Sequence, residues 1–226
     1  MTAPRPRPVP AVALSRLFVT PLVPRPRLRR LVWLYLGLVL FGLGGALLVR
    51  AGLGAMPWDV LHQGLSRRTG LSIGTWSVIA GTAVMLLWVP LRQRPGLGTV
   101  SNVVVLGLST DLFLWLLPEN GSLEVRLLML VAGVAVCGAG SGYYIGAGLG
   151  PGPRDGLMTG LAERGWSVRM ARMVIEVAVV VTGALLGGTV GVGTVVFALS
   201  IGPMAQAFLS LLRVPDESIG AAVPHR

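Results

Sequence analysis

The chain has 226 residues, 53% of them apolar (AVILMFWYC) and only 12% charged, with a mean hydropathy of +0.75. A soluble domain carries roughly 25% charged residues, so this density excludes a water-soluble globular enzyme and leaves a polytopic membrane protein. The net charge of +10 comes from Arg without any Lys; it lies in a tail and in short loops between apolar stretches, which fits membrane orientation rather than nucleic-acid binding.

Residues 1–30 hold seven Arg, frequent Pro and no acid. Pro lacks an amide donor and breaks helices, so this segment is expected to be an extended cytoplasmic tail whose Arg side chains can touch anionic headgroups. Six apolar stretches follow, at about 31–50, 72–90, 97–117, 125–146, 170–187 and 191–212. Each is near the ~20 residues that a hydrocarbon core requires. Periodicity is weak inside them, as expected of helices that meet lipid or protein on every face. Placing the N-terminus inside puts fifteen Arg on the cytoplasmic side and four on the outer side, namely Arg50, Arg67, Arg68 and Arg126. Six spans with both termini in the cytoplasm are therefore predicted, with Arg67 and Arg68 as a mild conflict.

An internal repeat organises the chain. Ala51 to Leu65 reads AGLGAMPWDVLHQGL, and Ala147 to Leu161 reads AGLGPGPRDGLMTGL, nine identities in fifteen positions at an offset of 96. At an offset of 95, Gly96, Gly98, Thr99 and Val100 meet Gly191, Gly193, Thr194 and Val195. Each copy holds three spans, an odd number, so the second copy must enter the membrane from the opposite side. That predicts an all-α fold of two inverted three-helix repeats, 31–118 and 125–213, joined by an outer loop at 119–124 and followed by a cytoplasmic tail at 214–226. Many secondary transporters are built this way, with sites at the repeat interface. After the first span of each copy, Gly52 to Gly54 and Gly148 to Gly150 end a helix and Pro57 and Pro153 start another. The short segments that follow, about 57–67 and 153–164, are too short to cross and either re-enter the membrane or lie at its surface.

The AGLGxxPxD segment in both halves, the GxGTV openings and the six-span layout resemble the YczE/YyaS/YitT-type bacterial integral membrane proteins. The resemblance covers about 31–213. It implies membrane location and layout; it supplies no reaction and no site residues.

Asp59 and Asp155 stand two residues after the repeated Pro. They cap the amide donors of a first helical turn, or they flank a substrate site. Trp58 and Arg154 occupy equivalent places. They are an interfacial Trp and a positive-inside Arg, or the apolar and cationic sides of a site for a carboxylate or phosphate. Asp111 lies inside the third span opposite Gln206 in the second copy. An acid inside the membrane points to function, the competing account being an ion pair with Arg50 or Arg126. Glu176 follows Arg172 by four residues and reads as a local pair. Gly138, Gly142 and Gly146 form a GxxxG ladder for close helix packing within the chain or in a homodimer.

Neither GxxxxGK[ST] nor HExxH occurs. One cysteine, Cys137, and two histidines make a metal centre or a disulfide framework untenable, and no cofactor is expected. The sequence thus points to a non-enzymatic inner-membrane protein that transports a small organic solute, coupled to a proton or another ion. Asp59, Asp155 and Asp111 are its site candidates, with Trp58, Arg154 and Gln206 near them. Two alternatives stand beside it: a substrate-binding membrane subunit of an ATP-driven uptake complex, and a non-transporting scaffold for partner membrane proteins.

Overall fold

The computed structural model describes residues 23–119 and 121–214. The expected tails therefore lie largely outside the described residues. The described residues form eight helices: α1 (Arg27–Ala51), α2 (Pro57–Thr69), α3 (Ile73–Leu91), α4 (Leu97–Leu116), α5 (Leu123–Gly146), α6 (Pro153–Ala162), α7 (Val168–Leu185) and α8 (Val192–Leu212). Among the described residues α1, α3, α4, α5 and α8 are long and apolar enough to cross a membrane. The stretch expected as a further span at 170–187 falls on α7, whose 18 residues include Arg169, Arg172 and Glu176 and which stands outside that set. By length and composition five candidate spans thus stand among the described residues. Leu86, Val89, Trp115, Leu199 and Leu211 are 67–80% exposed on the helix surfaces. An exterior of this kind is stable against lipid, not water.

Local chemistry sets the helix ends. Gly52 (φ 60°) and Gly148 (φ 65°) take the left-handed turn after the two long helices, a conformation that costs glycine nothing. Pro57 and Pro153 then occupy the first turns of α2 and α6, where a missing amide hydrogen is harmless. α1 and α5 cross at the centre of the molecule, glycine against backbone. A Cβ on Gly37 would lie 2.7 Å from the Gly140 carbonyl oxygen, and one on Gly44 2.8 Å from that of Gly133. The GxxxG ladder faces the other way: Gly138 and Gly142 receive Met204 and Phe208 of α8. The buried core, including Leu48, Met56, Val134, Cys137 and Phe197, fills the space between these helices.

The duplicated motifs meet across the two halves. The Leu149 carbonyl of the second AGLG turn accepts from the Gly98 amide at 2.7 Å, and the Leu53 carbonyl of the first accepts from the Gly193 amide at 2.8 Å. The Thr99 hydroxyl accepts from its own Gly96 amide at 3.1 Å and donates to the Pro151 carbonyl at 2.7 Å. The Thr194 hydroxyl likewise accepts from the Gly191 amide at 3.3 Å. Each half therefore closes the other's helix end.

Arginines do the same at a second level. The Arg30 guanidinium donates to the Ala147 carbonyl at 2.8 Å; Arg126, 96 residues later, donates to the Ala51 and Gly52 carbonyls at 2.7 and 2.9 Å. Arg68 donates to the Leu186 carbonyl at 3.4 Å, and Arg164, also 96 residues on, donates to that of Pro90. These groups satisfy C-terminal carbonyls that a helix leaves open. They also explain why Arg67 and Arg68 sit where few arginines were expected: Arg67 binds the Gly187 carbonyl and the Thr189 hydroxyl. Replacing Arg126 by Ala is expected to cost about 1.5–3 kcal/mol, the worth of hydrogen bonds to a charged group. Arg126→Lys should recover less than half of it, because a flexible ammonium lacks the fixed pair of nitrogens, Nε and Nη2, that reach the two carbonyls. Thermal unfolding of the detergent-solubilised protein checks both.

The seams between helices follow one two-fold order. α1 packs on α4 as α5 packs on α8; α2 packs on α7 as α6 packs on α3. One seam departs from that order: α3 runs packed along α4, whereas α7 has no comparable seam with α8.

Candidate functional site

The two short helices start at the junction of the halves. Their first residues, Pro57–Trp58–Asp59 and Pro153–Arg154–Asp155, come from the repeated motif. Trp88 of α3 braces α6 by donating its indole N–H to the Pro153 carbonyl at 3.0 Å. Its ring lies where a Cβ on Gly156 would be, 1.9 Å away.

A cavity of about 220 Å³ opens between the two N-termini. Arg154 lies across its floor with Cζ 4.9 Å from the centroid of the Trp58 ring. Asp155 faces the cavity and accepts from the Tyr144 hydroxyl at 3.3 Å. Phe197 and Ile201 of α8 and the Arg172–Glu176 pair of α7, joined at 2.9 Å, also line the cavity. A second cavity of about 20 Å³ shares Trp58, Arg154 and Asn102 with the first and is lined also by His62 and Ser77. It has room for about one water.

The six residues singled out from the sequence divide into three groups. Trp58, Arg154 and Asp155 meet in the large cavity. Asp59 lies buried outside its wall, with Oδ1 3.2 Å from Nδ1 of His62. Its other carboxylate oxygen has no hydrogen-bond partner among the described residues, nor have His62 Nε2 and Trp58 Nε1. Met56 and Gly152, at the cap positions, make no side-chain cap bond, and the Gly152 amide donates to the Asp155 carboxylate, as an acid in the first helical turn allows. Burial pushes the His62 imidazole below its ordinary range, against the opposing pull of the Asp59 carboxylate. A neutral His62 that donates Nδ1–H to Asp59 leaves Nε2 as an acceptor.

Asp111 and Gln206 lie away from the cavity. Asp111 accepts from the Ser72 hydroxyl at 2.5 Å and the Gly74 amide at 2.7 Å, holding the N-terminus of α3. It pairs with neither Arg50, which binds Glu119 and the Leu114 carbonyl, nor Arg126. Ser72 stands in a G-x-S-x-G string at 70–74; it is the N-cap of α3, bonded to Asp111 and to no histidine. His62 is the group that the sequence reading missed. Its signal was the three-residue spacing from Asp59 on one helix face; its repeat equivalent is Met158, so duplication did not mark it.

The chemistry available is recognition. The guanidinium and the helix N-termini favour an acidic group, and Trp58 and Phe197 offer apolar faces. Among the described residues no three His, Cys, Asp or Glu side chains are placed to hold a metal ion.

Residues 28–210 match a family described as "Family of unknown function (DUF6198)". An uncharacterized protein of Haemophilus influenzae is 41% identical over 184 residues, covering 80% of this chain and 84% of its own. The uncharacterized membrane protein YczE of Bacillus subtilis is 33% identical over 176 residues, covering 76% and 82%. The uncharacterized protein YyaS of the same organism is 25% identical over 184 residues, covering 78% and 90%. No solved structure matches.

Proposed function

Since the chain belongs to the DUF6198 family, a family of unknown function and of YczE-type membrane proteins, we propose that it is a transporter of a small organic solute bearing an acidic group. It resides in the bacterial inner membrane with both termini in the cytoplasm. The reading takes α7 as a sixth span. Its 18 residues cover about 27 Å at 1.5 Å per residue, close to the hydrocarbon thickness. Two three-span copies then sit inverted in the membrane, with α2 and α6 as re-entrant half-helices.

One observation carries the proposal. The N-termini of half-helices from both repeats meet at a cavity, with Arg154 stacked on Trp58 across its floor. Discontinuous helices at a repeat interface are how many secondary transporters present positive helix ends to anionic substrates. Coupling to a proton or an ion belongs to the same reading, with Asp59 and Asp155 as the carboxylates beside the site.

The test is a thermal-shift panel of carboxylates, phosphates, amino acids and organic cations on the purified protein, followed by flux of each hit into proteoliposomes. A solute at 100 times its Kd adds roughly 2.7 kcal/mol of stability. The expected result is a hit that also crosses the membrane, with flux lost in the folded Asp59→Asn/Asp155→Asn double variant. A panel without hits, or a solute that binds and never crosses, overturns transport; binding without flux points to a substrate-binding subunit instead.

A further inference from the structure

The two cavities are counterparts under the internal repeat. Ser77, Gly81 and His62 line the small one; at the repeat offsets of 95 and 96 their equivalents are Arg172, Glu176 and Met158, which line the large one. Trp58 and Arg154, themselves equivalent, line both. Related residues thus enclose about 220 Å³ in one half and about 20 Å³ in the other. The helix seams differ in the same sense. α3 lies packed along α4 beside the small cavity, and α7 stands off α8 beside the large one.

A polar contact distinguishes the two seams. Ser72 and Ser167 are the N-caps of α3 and α7, 95 residues apart. Asp111 of α4 reaches the first, bonding the Ser72 hydroxyl and the Gly74 amide. Gln206, its equivalent on α8, is exposed, and its side chain makes no hydrogen bond among the described residues. A carboxylate binds a helix N-terminus more strongly than an amide does. The closed α3–α4 seam is therefore the favoured one.

Resting on the transport reading above, we propose that the two cavities are alternate mouths of one site for an acidic solute. The Trp58–Arg154 stack is the partition between them, and Asp111 is the latch. In the second state α3 parts from α4 and opens the His62–Ser77 cavity. α8 then closes on α7, with Gln206 reaching the Ser167 end. Two nearly equivalent halves keep the exchange close to balanced in energy, since the seam that parts in one half is replaced by the seam that forms in the other.

Thiol labelling of the full chain in membrane vesicles tests this without any solute. In a Cys137→Ala background, Gly202→Cys reports on the large cavity; a Cβ there meets nothing within 4 Å. Ser77→Cys reports on the small one. The expected basal result is fast maleimide labelling at the first and slow labelling at the second. Adding Asp111→Ala should speed Ser77→Cys and slow Gly202→Cys, each about tenfold. Gln206→Asp, which leaves the α3 latch intact, should slow Gly202→Cys severalfold. It carries the test if Asp111→Ala does not fold. Faster labelling at Ser77→Cys with no change at Gly202→Cys means local loosening and overturns the exchange, as does no change at either. Reciprocal labelling in a protein that moves no solute overturns only the transport reading. Flux with non-reciprocal labelling overturns only the exchange.

Discussion

Gly96→Ala and Gly191→Ala are each expected to lower stability by about 2–4 kcal/mol and to reduce the yield of folded protein. A Cβ on Gly96 would lie 2.4 Å from the Leu149 carbonyl oxygen, and one on Gly191 2.4 Å from that of Leu53. Neither oxygen is free to retreat, because each accepts the amide of Gly98 or Gly193 two residues further on. Overpacking of this kind costs about 1–3 kcal/mol, and parting the hydrogen bond adds about 1 kcal/mol. A marginally stable chain has a total stability of only about 5–15 kcal/mol. Gly202→Ala is the control. Its Cβ would meet nothing within 4 Å inside α8, so it should be neutral or raise stability by up to about 1 kcal/mol. The monodisperse yield in detergent and the thermal unfolding midpoint measure all three. Wild-type behaviour of both docking variants would show that the halves do not close on each other's AGLG turns.

Arg154→Ala is expected to weaken binding of an acidic solute ten- to hundredfold. Hydrogen bonds to a charged group are worth about 1.5–3 kcal/mol, and each 1.4 kcal/mol is roughly a factor of ten. Arg154→Lys should fall between the two. It keeps a cation in the cavity but loses the planar group that lies over Trp58. Titration by thermal shift, with the identified solute, reads the three affinities. The solute-free midpoint of the Ala variant shows whether the fold is kept. Unchanged affinity in a folded Arg154→Ala variant would remove Arg154 from the site.

Much of the candidate site was legible in the residues themselves. Repetition of AGLGxxPxD picked out Asp59 and Asp155, and the break in that repetition picked out Trp58 against Arg154. The break proved the more informative signal, since it is those two side chains that lie across the cavity floor. Asp111 was found for a sound reason, the cost of an acid within an apolar span. What it does with its charge depended on a partner 39 residues away, the Ser72 hydroxyl. The paired arginines were equally visible at the offset of 96, Arg30 with Arg126 and Arg68 with Arg164. They were read as topology signals because their carbonyl partners lie between 74 and 118 residues from them.

What the sequence settled by itself is local in origin. Apolar length sets where helices can cross lipid, Gly and Pro set where they end, and an offset of about 95 residues declares two related halves. These are properties of a few consecutive residues or of a comparison within the chain. The tertiary structure alone decided which half closes on which. It showed the motifs docking crosswise, the arginines capping helices of the opposite half, and one seam held by Asp111 while its counterpart stands open. The physical reason is degeneracy. Two similar halves offer nearly the same local interactions, so no local rule distinguishes self-contact from cross-contact or the open cavity from the closed one. Side chains that break the repeat, such as Asp111 against Gln206, distinguish the two halves, and they do so through tertiary contacts.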